Sequence, residues 1–178
     1  MAISHETDSK PDTTAPNRHA CASPDACVGC LASSVLTDEM TESQIAGLFR
    51  MATVRRLSRG EVLISEGGGD SALFVVAKGE LVVERIHNGE SGVPLAHLHA
   101  GMMAGQFTFL GGSKRTATVT AAADGTCVIA IERASVESIL ESDPLLVYGL
   151  MKAILRSATS TIETMNKGFV DSIQYLRG

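Results

Sequence analysis

Between Thr53 and Glu132 the chain breaks into short runs rich in Val, Ile, Leu, Ala and Thr: "EVLISEG", "SALFVVAKG", "ELVVERI", "VPLAHLHA", "TATVTAAA" and "TCVIAIER". Gly, Asn and Asp separate them. Six or more strands at this spacing make a barrel, sandwich or roll. The core has to be aliphatic, because 44% of the residues are hydrophobic while only 4% are aromatic and Trp is absent. At 178 residues there is room for one such domain with an added tail or helix, and not for a second large one.

Helical patterns flank the strand-rich middle. "TESQIAGLFR" reads as a short helix, with Thr41 as the cap, Gln44 as its capping-box partner, and Ile45, Leu48 and Phe49 on one apolar face. Beyond Arg133, "ASVESIL" reads as another short helix. Asp143 and Pro144 then supply the N-cap and first-turn proline of a longer one. Leu146, Leu150, Ile154, Ala158, Ile162, Met165, Phe169, Ile173 and Leu176 follow at steps of three or four, with Gly168 as an expected kink or break. A stripe this long exceeds what a small roll can cover and predicts a homodimer, with Leu150 and Ile154 in its seam. The expected division is a flexible tail over 1–36, a roll over 37–143 and a dimerisation helix over 144–178.

The charge balance argues against several functions. A formal charge of −5 without a dense Lys/Arg stripe disfavours autonomous DNA binding. No Ser-His-Asp order, facing carboxylate pair or phosphate loop with Lys-Ser/Thr can be placed, so a non-enzymatic role is expected. The first thirty residues are polar and interrupted by Pro11, Pro16 and Pro24, and later apolar runs are broken by charges, which predicts a cytoplasmic protein without a membrane span.

Residues 101–119, "GMMAGQFTFLGGSKRTATV", place four glycines and Arg115 between two strand-like runs. An anion buried in a roll needs a fixed cation and backbone N–H donors, since an unpaired charge in a dry pocket is prohibitively unfavourable. Gly105 permits close backbone approach, "QFTFL" can form a helical turn, Arg115 supplies a bidentate guanidinium, and Thr116 adds a hydroxyl. Lys114 reads most simply as a solvated loop residue.

The order of elements and these residues resemble the cyclic nucleotide-binding domain of the catabolite activator and fumarate-nitrate reduction regulator superfamily. "GEVLISEGGGDSALFVVAKGELVV" is similar to that family's opening, with its glycine-rich turn and Asp-Ser pair. "AGQFTFLGGSKRTATV" resembles its phosphate-binding cassette, written F-G-E, a short helix, then R-[ST]-A. The resemblance implies a mainly β jelly roll, or double-stranded β-helix, followed by a long C-terminal helix. It further implies a cyclic AMP or cyclic GMP site at Gly105, Gln106, Phe107, Arg115 and Thr116. Ala104 and Gln106 replace the family's Phe and Glu, so the acceptor for the ribose 2′-hydroxyl is here an uncharged amide. Family members that regulate transcription continue into a helix-turn-helix, and with the chain ending at Gly178 the expectation is a stand-alone sensor that signals to a partner or a dimer.

Cys21, Cys27 and Cys30 lie in "CASPDACVGC", and Cys127 lies in "TCVIAIER". Three close thiols and one from the roll form a candidate four-thiolate metal site. The set resembles the oxygen-sensing branch of the same superfamily, which implies an iron–sulfur cluster and a redox sensor as the rival function. That branch has C-x2-C-x5-C, whereas this chain has C-x5-C-x2-C, with Leu36 where a further downstream ligand would fall. Zinc held with a histidine, such as His97 or His99 on one strand face, and a redox pair of Cys27 and Cys30 remain open readings. Cys127, alternating with Ile129 and Ile131, reads equally as a small core residue.

Overall fold

The computed structural model describes residues 34–87 and 90–177. The chain opens with α1 (Val35–Glu39) and α2 (Glu42–Arg50), then runs through β1 (Thr53–Leu57), β2 (Val62–Ile64), β3 (Leu73–Lys78), β4 (Glu80–His87), β5 (Glu90–His99) and β6 (Met103–Ala104). A short helix, α3 (Gln106–Gly111), precedes β7 (Thr118–Ala121) and β8 (Thr126–Ile131). α4 (Arg133–Glu137) and α5 (Pro144–Arg177) complete it. The strands form two four-stranded antiparallel sheets, ordered β1-β8-β3-β6 and β2-β7-β4-β5. This is the expected jelly roll, with two strands, β1 and β6, beyond the six runs quoted above.

Two strands are apolar along nearly their whole length because both their faces are covered. On β3 and β8, Leu73, Val75, Ala77, Cys127, Ile129 and Ile131 pack towards the helices, with Leu36, Leu48, Phe49, Leu150 and Ile154. The alternate residues Phe74, Val76, Val128 and Ala130 join Leu57, Ile64, Leu81 and Val119 inside the roll. Period-two alternation thus sorts one apolar run into two cores.

The caps were legible. Thr41 accepts from Gln44 N while the Gln44 side chain accepts from Thr41 N at 2.9 Å, and Asp143 Oδ1 accepts from Leu146 N at 3.1 Å. The first helix was not. Ser34 and Thr37 form a capping box that starts α1 at Val35, and Leu36 is fully buried, so the end of the stretch read as tail belongs to the packed fold.

The long stripe needs correction. Leu146, Leu150 and Ile154 are 3%, 0% and 0% exposed against the roll, whereas Ile162 and Met165 are 50% and 65% exposed. The cause is helical drift: each step of four residues turns the row by about 40° on a 3.6-residue helix, so four steps carry Ile162 almost to the face opposite Leu146. Leu150 and Ile154 are therefore core residues of the protomer and not seam residues. Gly168 does not end α5, which continues to Arg177.

Leu150→Ala should cost about 2 to 5 kcal/mol in chemical denaturation, the range for emptying a closed core site. Leu145→Ala, at a position 71% exposed, should stay within about 0.5 kcal/mol. Equal losses at the two positions would contradict the assignment of faces.

Candidate functional site

Main-chain pairing builds the site from two distant loops. Arg115 N donates to Gly68 O at 2.9 Å and Gly67 N donates to Arg115 O at 2.8 Å, which locks the "EGGGD" turn alongside the residue that precedes β7. Gly67 takes a left-handed φ of 78°, and a Cβ on Gly68 would approach Ser65 O to 2.9 Å, so this close pairing depends on glycine. The pairing sets Asp70 beside the Arg115 side chain.

Arg115 is 3% exposed, and its guanidinium lies 5.8 Å from the centroid of the Phe74 ring in the roll interior. Nε donates to Asp70 Oδ2 at 3.2 Å and Nη2 donates to Asp70 Oδ1, a two-pronged carboxylate contact. Nη2 also donates to Ala72 O at 2.7 Å, and Nη1 donates to Gly105 O at 3.1 Å. These four bonds engage all but one of the five N–H groups of a guanidinium. Gly105 has φ 87°, and a Cβ there would overlap the guanidinium and stand 2.9 Å from Ala72 O. Only glycine lets the backbone pass this cation.

Gly105 opens α3, whose formation from "QFTFL" follows the sequence reading. Gln106, 7% exposed, turns towards α5 and donates from Nε2 to Ser157 Oγ at 3.2 Å. Phe107 is 47% exposed, and Lys114 and Thr116 are exposed on either side of Arg115. At the other end of α3, Arg133 Nε donates to Phe109 O and its Nη2 to Leu110 O, both at 2.7 Å. A cation there satisfies terminal carbonyls and complements the helix dipole. The structure thus gathers Gly105, Gln106 and Arg115 around α3, leaves Phe107 and Thr116 exposed, and adds Asp70, Arg133 and Ser157.

The sequence held a signal for only one of the added three. Asp70 belongs to the Asp-Ser pair of the family-like opening; Arg133 and Ser157 reach α3 from α4 and α5, distant in sequence.

Cys127 sits on β8 in the helix-side core at 2% exposure, which fits the reading as a small core residue. Cys21, Cys27 and Cys30 lie outside the described residues. His97 Nδ1 pairs with Glu80 Oε1 on the sheet surface. Among the described residues no group of three or more His, Cys, Asp or Glu side chains is placed to hold a metal ion. No helix among them is long and apolar enough to cross a membrane.

Hydrogen bonding from Arg115 holds the Asp70 carboxyl below its ordinary value, against an opposing push from burial. A depressed carboxylate stabilises the fold above its unfolded pKa, and that contribution disappears as pH falls through the folded value. Asp70→Asn should therefore cost about 1 to 3 kcal/mol at pH 7, at the low end for a buried cation losing its partner because the Asp70 side chain is 53% exposed and screened. In thermal unfolding, the gap between wild type and Asp70→Asn should be constant from pH 7 down to about pH 4 and close below it. A gap that widens on acidification would contradict the pairing.

Comparison with known proteins agrees with the fold. A crystal structure of a cyclic nucleotide-binding domain from Methylobacillus flagellatus superposes with a TM-score of 0.77 at 16% identity, covering 85% of this chain and 87% of that one. The Thermus thermophilus catabolite activator protein gives 0.62 at 22% identity, covering 75% of this chain and 62% of that one. A cGMP-dependent protein kinase, egl-4 of Caenorhabditis briggsae, is 35% identical over 86 residues, which are 48% of this chain and only 11% of the kinase. Residues 54–143, just over half the chain, match the family model of the cyclic nucleotide-binding domain. With the jelly roll, the glycine-framed α3 and the buried arginine in place, the chain belongs to the cyclic nucleotide-binding domain family.

Proposed function

We propose that the chain is a non-enzymatic regulatory sensor that binds a cyclic nucleotide, anchors its phosphate on Arg115 and passes the signal through α5 of a homodimer. The observation that carries this reading is the state of Arg115. A guanidinium buried in the roll interior is expensive to maintain, and here a half-exposed carboxylate neutralises it where glycines let the backbone approach. A cyclic phosphate is a monoanion that can take over the same donors. Asp70 then returns to water, where it is easily solvated, so the exchange keeps Arg115 neutralised throughout.

Binding is tested by calorimetry with cyclic AMP and cyclic GMP. Arg115→Ala should weaken binding by about 2 to 5 kcal/mol, tenfold at least, as when one member of a buried charge pair is lost. No heat from wild type at millimolar nucleotide would refute the ligand assignment.

The dimer reading rests on the outer face of α5. Tyr148, Met151, Leu155, Ala158, Ile162, Met165 and Phe169 follow one another at alternating steps of three and four, the a/d spacing of a coiled coil; Ala158 is buried and Met151 partly buried in the single chain, so the others of the row would carry the contact. Tyr148, Leu155, Ile162 and Met165 are 64%, 64%, 50% and 65% exposed in the single chain. Sedimentation at micromolar concentration should give a dimer for wild type. Leu155→Glu with Ile162→Glu should give a folded monomer. A monomeric wild type would remove the dimer from the proposal.

A further inference from the structure

The amide of Gln106 has more than one use. A carboxylate at this position only accepts hydrogen bonds, whereas an amide accepts at Oε1 and donates at Nε2. Nε2 donates to Ser157 Oγ on α5, leaving Oε1 as an acceptor for a sugar hydroxyl. Ser157 adjoins Ala158, the last buried residue of α5 among those described.

The segment that follows is unusual for a helix. Five of the eight residues 157–164 are Ser or Thr. Thr159, Thr161 and Thr164 donate to the carbonyls of Leu155, Ser157 and Ser160 at 2.9, 3.0 and 2.9 Å. Hydroxyls bonded back to their own helix loosen and bend it. The Gln106 contact is thus made at the foot of a weak stretch, where one added restraint changes the order of everything beyond it.

We infer that Gln106 couples the site to α5, resting on the nucleotide reading above: its amide takes a ligand hydroxyl at Oε1 and holds Ser157, a positioning residue, through Nε2. Hydrogen bonds in such a chain polarise and strengthen one another, so an occupied site tightens the Ser157 contact and orders residues 159–165. A glutamate would bind the sugar hydroxyl well but would need Ser157 to donate as well. Two donors on one carboxylate compete instead of reinforcing. Glutamine in place of glutamate therefore trades ligand affinity for connection to the helix.

Amide hydrogen exchange on the full chain tests this without any ligand. In Gln106→Ala and in Ser157→Ala, amides 159–165 should exchange about threefold to tenfold faster than in wild type, the effect of losing one hydrogen bond. Amides 146–154 should be unchanged, and the double variant should be no faster than the faster single one. Ser157→Thr, which keeps an acceptor hydroxyl, should restore the wild-type rate. Helix propensity alone makes the opposite prediction for Ser157→Ala, a slower exchange. Unchanged or slower exchange in that variant, or effects that multiply in the double, would overturn the coupling.

A second arm adds millimolar cyclic GMP. Exchange over 159–165 should slow in wild type and not in Gln106→Glu, although the variant binds; equal slowing in both overturns the role of the amide. Absence of nucleotide binding would sink the ligand half of the proposal together with the function above, while the ligand-free arm still decides the Gln106 to Ser157 connection.

Discussion

The arrangement around α3 depends on one buried cation. With its side chain 1% exposed, Arg115 cannot stay charged inside the roll without a counter-charge, and Asp70 supplies it across forty-five residues of sequence. The glycines at 67, 68 and 105 are consequences of that requirement. They bring two loops and the start of α3 close enough for the guanidinium to meet a carboxylate and two carbonyls at once. Phe74 beneath the guanidinium is the floor of the same arrangement. The cation is already neutralised by Asp70 in the single chain, and in the proposed function a ligand phosphate takes that carboxylate's place.

The proposed substitution carries its own means of signalling, because the Asp70 contact that it displaces ties two loops together. Arg115 bonds the carbonyl of Gly105 at the start of α3, Arg133 bonds the carbonyls at its end from α4, and Gln106 reaches α5. α3 is therefore tied at once to the Arg115 loop, to α4 and to the long helix. α5 divides its own labour by face: one side completes the core of the roll, and the other leaves Tyr148, Leu155, Ile162 and Met165 exposed in the single chain, the face on which the proposed dimer rests.

Much of this was readable from the sequence wherever the determinants were local. Thr41 with Gln44, Asp143 with Pro144, and the glycines around "QFTFL" are short-range signals, and each marks the boundary it was expected to mark. The alternation of Cys127 with Ile129 and Ile131 marked one buried face of β8. What sequence could not supply were contacts between distant residues. Nothing near Asp70 announces Arg115, and nothing near Ser157 announces Gln106. The stripe on α5 misled for a different reason, since a row of residues four apart looks continuous in sequence while it rotates round the helix. Ser34 and Thr37 did carry a capping signal, hidden by the polar stretch before it.

The central claim is that a phosphate replaces the Asp70 carboxylate on Arg115, and the titration of Asp70 itself reports this most directly. Carbon NMR of the labelled side-chain carboxyl gives its pKa with and without saturating cyclic nucleotide. In the free protein the value should lie below the ordinary aspartate range, because Arg115 hydrogen-bonds the ionised form. With nucleotide bound it should rise towards that range as the guanidinium turns to the phosphate. A value that stays depressed, or falls further, in the saturated protein would show that Asp70 keeps its hold on Arg115 and that the ligand is bound by other means.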